Sequence, residues 1–453
     1  MQVAYYGDDF TGSTDVLETL AAAGLAADLC VTVAAAAERL TDAARGGLQA
    51  LGIAGQSRTW SPAAMDAELP AAFATLAAAR PRFLHYKVCS TFDSSPAVGS
   101  IGHAIDIGRR VLPARWTPVV AAAPHLGRWM AFGNLFARSG LDSPAYRLDR
   151  HPTMSRHPVT PMAEADLRLV LGRQTQLPVS LVDLPTLDAG VEPAWASIRN
   201  SPEGIVLFDA TTDAQLTTIG RLLDRLADAQ DQPLFVAGSS GVERALVLAG
   251  GIGQQPVVPP PARPGSSGPL LVVAGSLSPV TQRQLAAAVA AGFHDLEISP
   301  VAGESEIAAV TQAATMAHHA GRSVIIRLGA AVRSDRSGPE LGRLLGRTAA
   351  NVLAVAPFPR IIIAGGDTSG EVSRQLGITS LRFVAALAPG APWCGVESTR
   401  PPVAAALFAF KGGQVGRDDL LVAAGCPSAT AGEADARIPS RPPPPDLGPR
   451  ASA

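Results

Sequence analysis

Two adjacent acids, Asp8 and Asp9, stand in the run Tyr6-Gly7-Asp8-Asp9-Phe10-Thr11-Gly12-Ser13, between an apolar segment and a stretch of helical periodicity. At the carboxyl end of a parallel strand, such a pair can orient or deprotonate a ligand hydroxyl while the N–H groups of the next helix face the ligand. A plainer reading makes Thr11 or Ser13 the helix N-cap and lets the acids favour the helix dipole. That accounts for one acid and one hydroxyl, but not for two acids placed ahead of the cap.

Only two lysines occur, Lys87 and Lys411, among 37 basic residues. Arginine serves equally well at a solvated position, so lysine persists where a compact, movable ammonium is needed against a phosphate or carboxylate. Lys87 opens the run Lys87-Val88-Cys89-Ser90-Thr91-Phe92-Asp93-Ser94-Ser95 after another apolar segment. Its cation, its acid Asp93 and the hydroxyls of Ser90, Thr91, Ser94 and Ser95 match the carboxylate and hydroxyls of a sugar acid. The same run would also serve as a turn capping a helix that starts near Pro96. Arg58, in Gln56-Ser57-Arg58, is a candidate second carboxylate ligand, although an arginine there is more often a surface residue. His157 lies in the irregular loop Met154–Met162, where it would hold substrate or simply satisfy a backbone carbonyl.

Three glycine-bearing turns follow in the second half. Gly275-Ser276-Leu277-Ser278-Pro279 and Gly365-Gly366-Asp367-Thr368-Ser369-Gly370 each follow a strand-like run and precede a helix; Lys411-Gly412-Gly413 adds a cation beside a glycine pair. Glycine lets the backbone approach a phosphate, and the helix start favours its charge. Neither lysine follows a glycine, which excludes a G-x-x-x-x-G-K-[ST] P-loop, and no G-x-G-x-x-G opens the first unit, which weakens a Rossmann dehydrogenase.

The elements that must carry these turns are α/β. Strands are expected at Val3–Tyr6, Asp28–Val33, Ala50–Ala54, Phe83–Val88, Pro118–Ala122, Val179–Leu184, Gly204–Phe208 and Leu234–Ala237, with helical periods between them over Ser13–Ala23 and Pro96–Leu112. A second series is expected at Leu270–Ala274, Asp295–Ser299, Ser323–Leu328, Arg360–Ala364 and Val403–Phe410. Between the two, Gly250–Gly268 is rich in proline and glycine and reads as a linker or crossover. The expectation is two α/β domains with mainly parallel sheets, residues 1–250 and 268–426, an active-site cleft between them, and a disordered proline-rich tail over 427–453.

A chain of 453 residues with net charge −2 offers no electrostatic case for nucleic acid or an anionic membrane. No apolar run reaches the ~18 residues of a membrane span, and no signal peptide is expected at Met1–Tyr6. The four cysteines, Cys30, Cys89, Cys394 and Cys426, fit neither a metal pair nor a disulfide framework, so a cytoplasmic setting is expected and no protein-held metal site is assigned. A homo-oligomer is compatible with the sequence.

Taken together, Gly7–Gly12, Lys87–Ser94, His157–Met162, Gly275–Pro279, Gly365–Gly370, Pro389–Trp393 and Phe410–Gly413 resemble the four-carbon acid sugar kinase family, in the same order and over nearly the whole chain to about residue 425. The resemblance implies an N-terminal sugar-acid domain, a C-terminal ATP domain and phosphoryl transfer from ATP, with Mg2+, to a terminal hydroxyl of an acid such as threonate, erythronate or 3-oxo-tetronate. It implies that Ser276, Gly365, Gly366, Asp367, Thr368 and Gly412 contact ATP and that Lys411 neutralises its phosphates. The substrate side would be Asp8 and Asp9 as the catalytic acids, with Arg58, Lys87, Ser90, Thr91, Asp93 and His157 around the sugar acid. This chain departs from the family pattern at Tyr5-Tyr6, at Gly127–Asn134 and at Lys411–Gly416. Two other readings of the same residues are a non-catalytic sugar-acid and nucleotide sensor, and a lyase using Lys87 as a Schiff base.

Overall fold

The computed structural model describes residues 1–140, 143–157, 159–253, 268–329 and 336–425. The first half supplies β1 (Val3–Gly7), β2 (Ala27–Cys30), β3 (Ala50–Ala54), β4 (Phe83–Lys87), β5 (Trp116–Val120), β6 (Arg128–Ala131), β7 (Asn134–Arg138), β8 (Ala145–Arg147), β9 (Val179–Val182), β10 (Gly204–Phe208) and β11 (Leu234–Gly238). The second supplies β12 (Leu270–Ala274), β13 (His294–Ile298), β14 (Val324–Leu328), β15 (Arg360–Ala364), β16 (Ile378–Ala388), β17 (Ala391–Ser398) and β18 (Leu407–Lys411). In β1, β3, β4, β11, β12 and β15 every residue is buried, as a parallel sheet covered by helices on both faces requires.

The expected α/β fold and its strands are present, with some bounds displaced by a few residues. The last strand begins at Leu407 and not at Val403, because Pro401–Ala404 forms a helical turn. The helix expected from Pro96 begins at Ile101, where the Ser100 hydroxyl caps the His103 N–H. The expected linker lies mostly outside the described residues, as do Cys426 and the tail over 427–453.

Fifteen strands form one ladder among the described residues, in the order β13-β14-β12-β15-β18-β17-β16-β2-β3-β1-β4-β11-β5-β10-β9; β6, β7 and β8 form a separate antiparallel sheet. Two parallel blocks are therefore joined by the β16–β17 hairpin. β16 pairs antiparallel with β2 through Ser380–Cys30 and Leu381–Leu29, and β17 pairs antiparallel with β18 through Trp393–Ala409, Cys394–Phe408 and Gly395–Leu407. The direction reverses at each step from β2 to β18, so the blocks run in opposite senses along the ladder. Register shifts between Ile378 and Ser380, Phe383 and Ala385, and Ala385 and Ala388 bend and over-twist this ribbon.

Contacts across the joint show the carboxyl ends of the two blocks brought face to face. The Phe10 and Phe410 rings lie 4.7 Å apart, and the hairpin turn at Gly390 donates its N–H to Glu18 at 2.9 Å. One core runs from Val3 to Phe410 through both halves, with a smaller apolar layer under the helix Pro279–Ala290. No helix of the described residues is long and apolar enough to cross a membrane.

The joint carries its own charge cluster. Asp28, 1% exposed on β2, accepts from Arg382 of β16 at 2.6 Å and from Arg39. Removing one member of a buried ion cluster strands the others, at a cost of about 3–5 kcal/mol, and Arg382 is solvated enough to favour the lower end. Asp28→Ala is expected to lower stability by about 3 kcal/mol in urea unfolding.

Candidate active site

The acid pair is built by the turn out of β1. Asp8 hydrogen-bonds through its backbone to both neighbouring segments, Asp8 N–H to Lys87 O at 2.8 Å and Arg58 N–H to Asp8 O at 3.1 Å. The following helix, Phe10–Ala22, is capped by Asp9 and not by Thr11 or Ser13: Asp9 Oδ1 accepts from Gly12 N–H at 2.7 Å. The Thr11 hydroxyl donates to Asp9 Oδ2 at 3.1 Å, and the Ser13 hydroxyl donates to the Asp9 carbonyl. A Cβ on Gly12 would collide with Asp9 Oδ1 and stand 3.1 Å from Lys87 Nζ, so glycine is required where acid, cap and lysine converge.

Arg58 stands between the two acids. Its Nη1 lies 3.0 Å from Asp9 Oδ2, and its Nη2 and Nε reach Asp8 at 3.3 and 3.4 Å. Burial pushes the Asp8 carboxyl up to about 6; Arg58 opposes the rise and Asp9 adds to it. Burial alone would lower the Arg58 pKa, but Asp8 and Asp9 raise it well above its ordinary value. Asp9 is thus committed to a cap, a hydroxyl and a guanidinium, while Asp8 holds only long contacts and sits near neutrality.

The lysine turn lies alongside. Lys87, 3% exposed, ends β4 in register with Gly7 of β1 and donates to Val88 O at 3.1 Å. Thr91 donates to Asp93 at 2.6 Å and meets Cys89 Sγ at 3.0 Å, with Ser90 half-buried in the same turn. Buried Phe92 sits at φ 55°, a left-handed conformation that costs a bulky residue of order 1–3 kcal/mol and persists only where its surroundings enforce it. Burial would raise the Asp93 pKa, yet Arg58, the Thr91 hydroxyl and His157 hold it below the usual range. Burial and Asp93 push the Cys89 thiol up, away from thiolate chemistry. His157, half-buried, accepts at Nδ1 from Thr160 N–H at 3.1 Å.

Across the joint, the three glycine turns meet at the ends of β12, β15 and β18. Gly275 and Ser276 both donate N–H to Ala364 O, at 3.1 and 3.2 Å. Gly365 has φ 126°, and the helix Gly366–Gln375 starts immediately after it. A Cβ on Gly275 would collide with Thr368 Oγ1, and one on Gly413 would come within 2.7 Å of Ser276 Oγ. These close approaches make a backbone-lined cradle of the kind that admits phosphate. Asp367 is exposed at that helix start, within electrostatic reach of Arg58 and Asp9. A small open cleft adjoins the cradle, lined by Gly275, Ser276, Gln282, Arg327 and Leu328 among others.

Lys411 is placed beneath the cradle. It is 1% exposed, its Nζ donates to Thr281 Oγ1 at 2.9 Å, and Thr281 in turn donates to Gly413 O at 2.8 Å. Burial pushes its ammonium down to about 8, so it remains mostly charged at neutral pH.

The two sides touch. A Cβ on Gly366 would lie 3.3 Å from Asp9 Oδ2 and 3.6 Å from Thr11 Oγ1, and one on Gly412 would lie 3.8 Å from Thr11 Oγ1. Asp8, Asp9, Arg58, Lys87 and Asp93 therefore form one cluster, and Ser276, Gly365–Thr368 and Gly412 form another against it. His157 joins the first through the Asp93 charge. Sequence reading passed over three features: Thr11 as the bridging hydroxyl, Arg128 on β6, and Ser239-Ser240 at the end of β11. The glycine-flanked Gly238-Ser239-Ser240-Gly241, after a strand and before a helix, was the available signal for the last.

Two family models match the two halves of the chain. A family model described as a sugar-binding N-terminal domain matches residues 3–246, and one described as a nucleotide-binding C-terminal domain matches 271–421. A 3-oxo-isoapionate kinase from Paraburkholderia graminis is 42% identical over 443 residues, covering 91% of this chain and 92% of that one. A 3-oxo-tetronate kinase from Pseudomonas savastanoi pv. phaseolicola is 33% identical, covering 92% and 95%. Among solved structures, a Salmonella typhimurium LT2 chain superposes with a TM-score of 0.73 at 23% identity, covering 93% of this chain and 98% of that one. Haemophilus influenzae protein HI1011 does so with 0.66 at 23%, covering 92% and 98%. At that identity the two structures speak for the fold alone.

Gly12→Ala tests the convergence of acid, cap and lysine. Loss of the Asp9 cap is expected to cost about 1 kcal/mol, read as a lowered urea midpoint with an unchanged m-value.

Proposed function

As a member of the four-carbon acid sugar kinase family, the chain is a sugar-acid kinase, and we propose that it transfers the γ-phosphoryl group of ATP to a terminal hydroxyl of a short 3-oxo sugar acid. The observation that carries the reading is the contact of Asp9 and Thr11 with Gly366 and Gly412, which sets the acid pair against the glycine cradle. Phosphoryl transfer needs little covalent help from a protein; it needs positioning, charge stabilisation and a carboxylate near the attacking oxygen. The preference for a 3-oxo acid, 3-oxo-isoapionate before 3-oxo-tetronate, rests on two kinases named for those substrates, 42% and 33% identical to this chain.

In this reading residues 1–250 hold the acid sugar and 268–426 hold ATP. Asp8 takes the proton of the acceptor hydroxyl, because its carboxylate is not consumed by a cap and its pKa lies close to working pH. Asp9 and Arg58 hold Asp8 in place. Lys87, Ser90, Thr91, Asp93 and His157 contact the substrate. Ser276, Gly365, Gly366, Thr368 and Gly412 offer N–H and hydroxyl groups to the phosphates, and Lys411 supplies positive charge from below while fixing Gly413 through Thr281.

Mg2+ fits as a companion of the nucleotide. Asp367 is the acid carried by the cradle, and among the described residues no group of three or more His, Cys, Asp or Glu side chains is arranged to hold a metal. Asp367 would help hold the ion, which would neutralise charge on the nucleotide phosphates.

A coupled ADP assay with 3-oxo-isoapionate, 3-oxo-tetronate, threonate and erythronate tests the reading: a 3-oxo acid is expected to drive the fastest release, and silence across the panel would overturn it. Lys87→Ala is expected to raise KM for the acid by about tenfold or more with KM for ATP little changed, and Lys411→Ala to do the reverse. Protonated Asp8 cannot accept a proton, so kcat/KM should fall as pH drops through about 6. Asp8→Asn should lower kcat by at least about 100-fold.

A further inference from the structure

A sugar acid brings a carboxylate into a site already crowded with carboxylates. Arg58, the cation that sequence puts forward for it, is divided between Asp8 and Asp9, and Asp93 also lies in its field. Lys87 stands beside Gly12, acts on the Asp8 charge and donates to Val88 O. An incoming anion needs a cation whose charge is not spent.

Arg128 meets that requirement. Its backbone exchanges hydrogen bonds with Ala123 in both directions, Ala123 N–H to Arg128 O at 3.0 Å and Arg128 N–H to Ala123 O at 3.1 Å, which returns the chain to the carboxyl end of β5. That end lies two strands from Lys87, since Gly238 of β11 pairs with both Val120 and Lys87. The guanidinium is fixed by Nη1, which donates to Leu126 O at 3.0 Å and Gly127 O at 3.1 Å. Among the described residues it has no carboxylate partner, and its Nε is buried without an acceptor. It stands close enough to the substrate turn for Cys89 to act on its charge. The start of the helix Gly241–Ala249 abuts the same place: a Cβ on Gly241 would collide with Ala122 O, and the buried Ser240 hydroxyl there also has no partner.

We propose that Arg128, and not Arg58, receives the substrate carboxylate, gripping it with the Nε–Nη2 edge that its own carbonyl contacts leave open. That edge presents two parallel N–H donors, the geometry that matches a carboxylate in a bidentate pair. Arg58 is then a positioning residue for the acid pair. The proposal rests on the sugar-acid kinase reading and assigns one end of its substrate.

The test compares the acid that wild type uses best with its neutral carboxamide, in wild type, Arg128→Gln and Arg128→Lys. Wild type is expected to prefer the acid strongly. Arg128→Gln should lower kcat/KM for the acid by about 100-fold, mostly through KM, leave KM for ATP within about twofold, and abolish the preference for acid over amide. Arg128→Lys keeps stem and charge but loses the fork; it should fold as wild type and retain only part of the preference. If either folded variant keeps the wild-type preference, Arg128 does not receive the carboxylate, whereas the kinase reading stands. If wild type releases ADP with no acid, the kinase reading fails and this proposal with it.

Discussion

One guanidinium, Arg58, makes the rest of the site possible. Two like charges a few ångströms apart in a partly dry pocket repel by on the order of 4 kcal/mol, enough to protonate one acid or push the turn apart. Arg58 cancels that repulsion by contacting both Asp8 and Asp9, and its own backbone N–H ties it to the Asp8 carbonyl. The compensation is uneven. Asp9, with the shorter contact and the helix cap, is locked; Asp8, with long contacts and deep burial, is left near 6. Inequality of this kind separates a structural carboxylate from a reactive one.

The second constraint is topological. Ligands collect at the carboxyl ends of parallel strands, and here two parallel blocks must aim those ends at each other. The bulged β16–β17 hairpin does this while keeping a continuous ladder, and Phe10 against Phe410 seals the joint next to the reacting groups. The lysine turn and the glycine cradle are consequently fixed by the same apolar core, and damage to the joint at Asp28 or Glu18 should be felt in both.

Much of this was legible in the chain. Apolar runs bounded by glycine marked the parallel strands, and scarcity of lysine marked both Lys87 and Lys411. What escaped depended on contacts distant in sequence. No spacing reveals that Arg58 bridges Asp8 and Asp9, that Phe92 adopts a positive φ, or that Arg128 folds back over β5. The Pro389-Gly390 pair was noticed as a motif, but its role as the turn of the joining hairpin needed β2 as a partner. The sequence offers Thr11 or Ser13 as the cap with Asp9 ahead of it; the cap is the acid itself. Lys411 stands in the sequence as a cation to neutralise ATP phosphates, but no spacing reveals that it is buried against Thr281, whose hydroxyl in turn holds the Gly413 carbonyl.

The central claim is that acceptor and nucleotide meet where the two blocks face each other, with Asp8 at the acceptor oxygen. A crystal structure of the ternary complex with a non-hydrolysable ATP analogue and the preferred acid tests this most directly. The account predicts an acceptor hydroxyl within about 3.2 Å of the Asp8 carboxylate and a γ-phosphate over Gly365 and Gly366. An acid bound with its hydroxyls turned away from Asp8, or an analogue seated away from the glycine cradle, would contradict it.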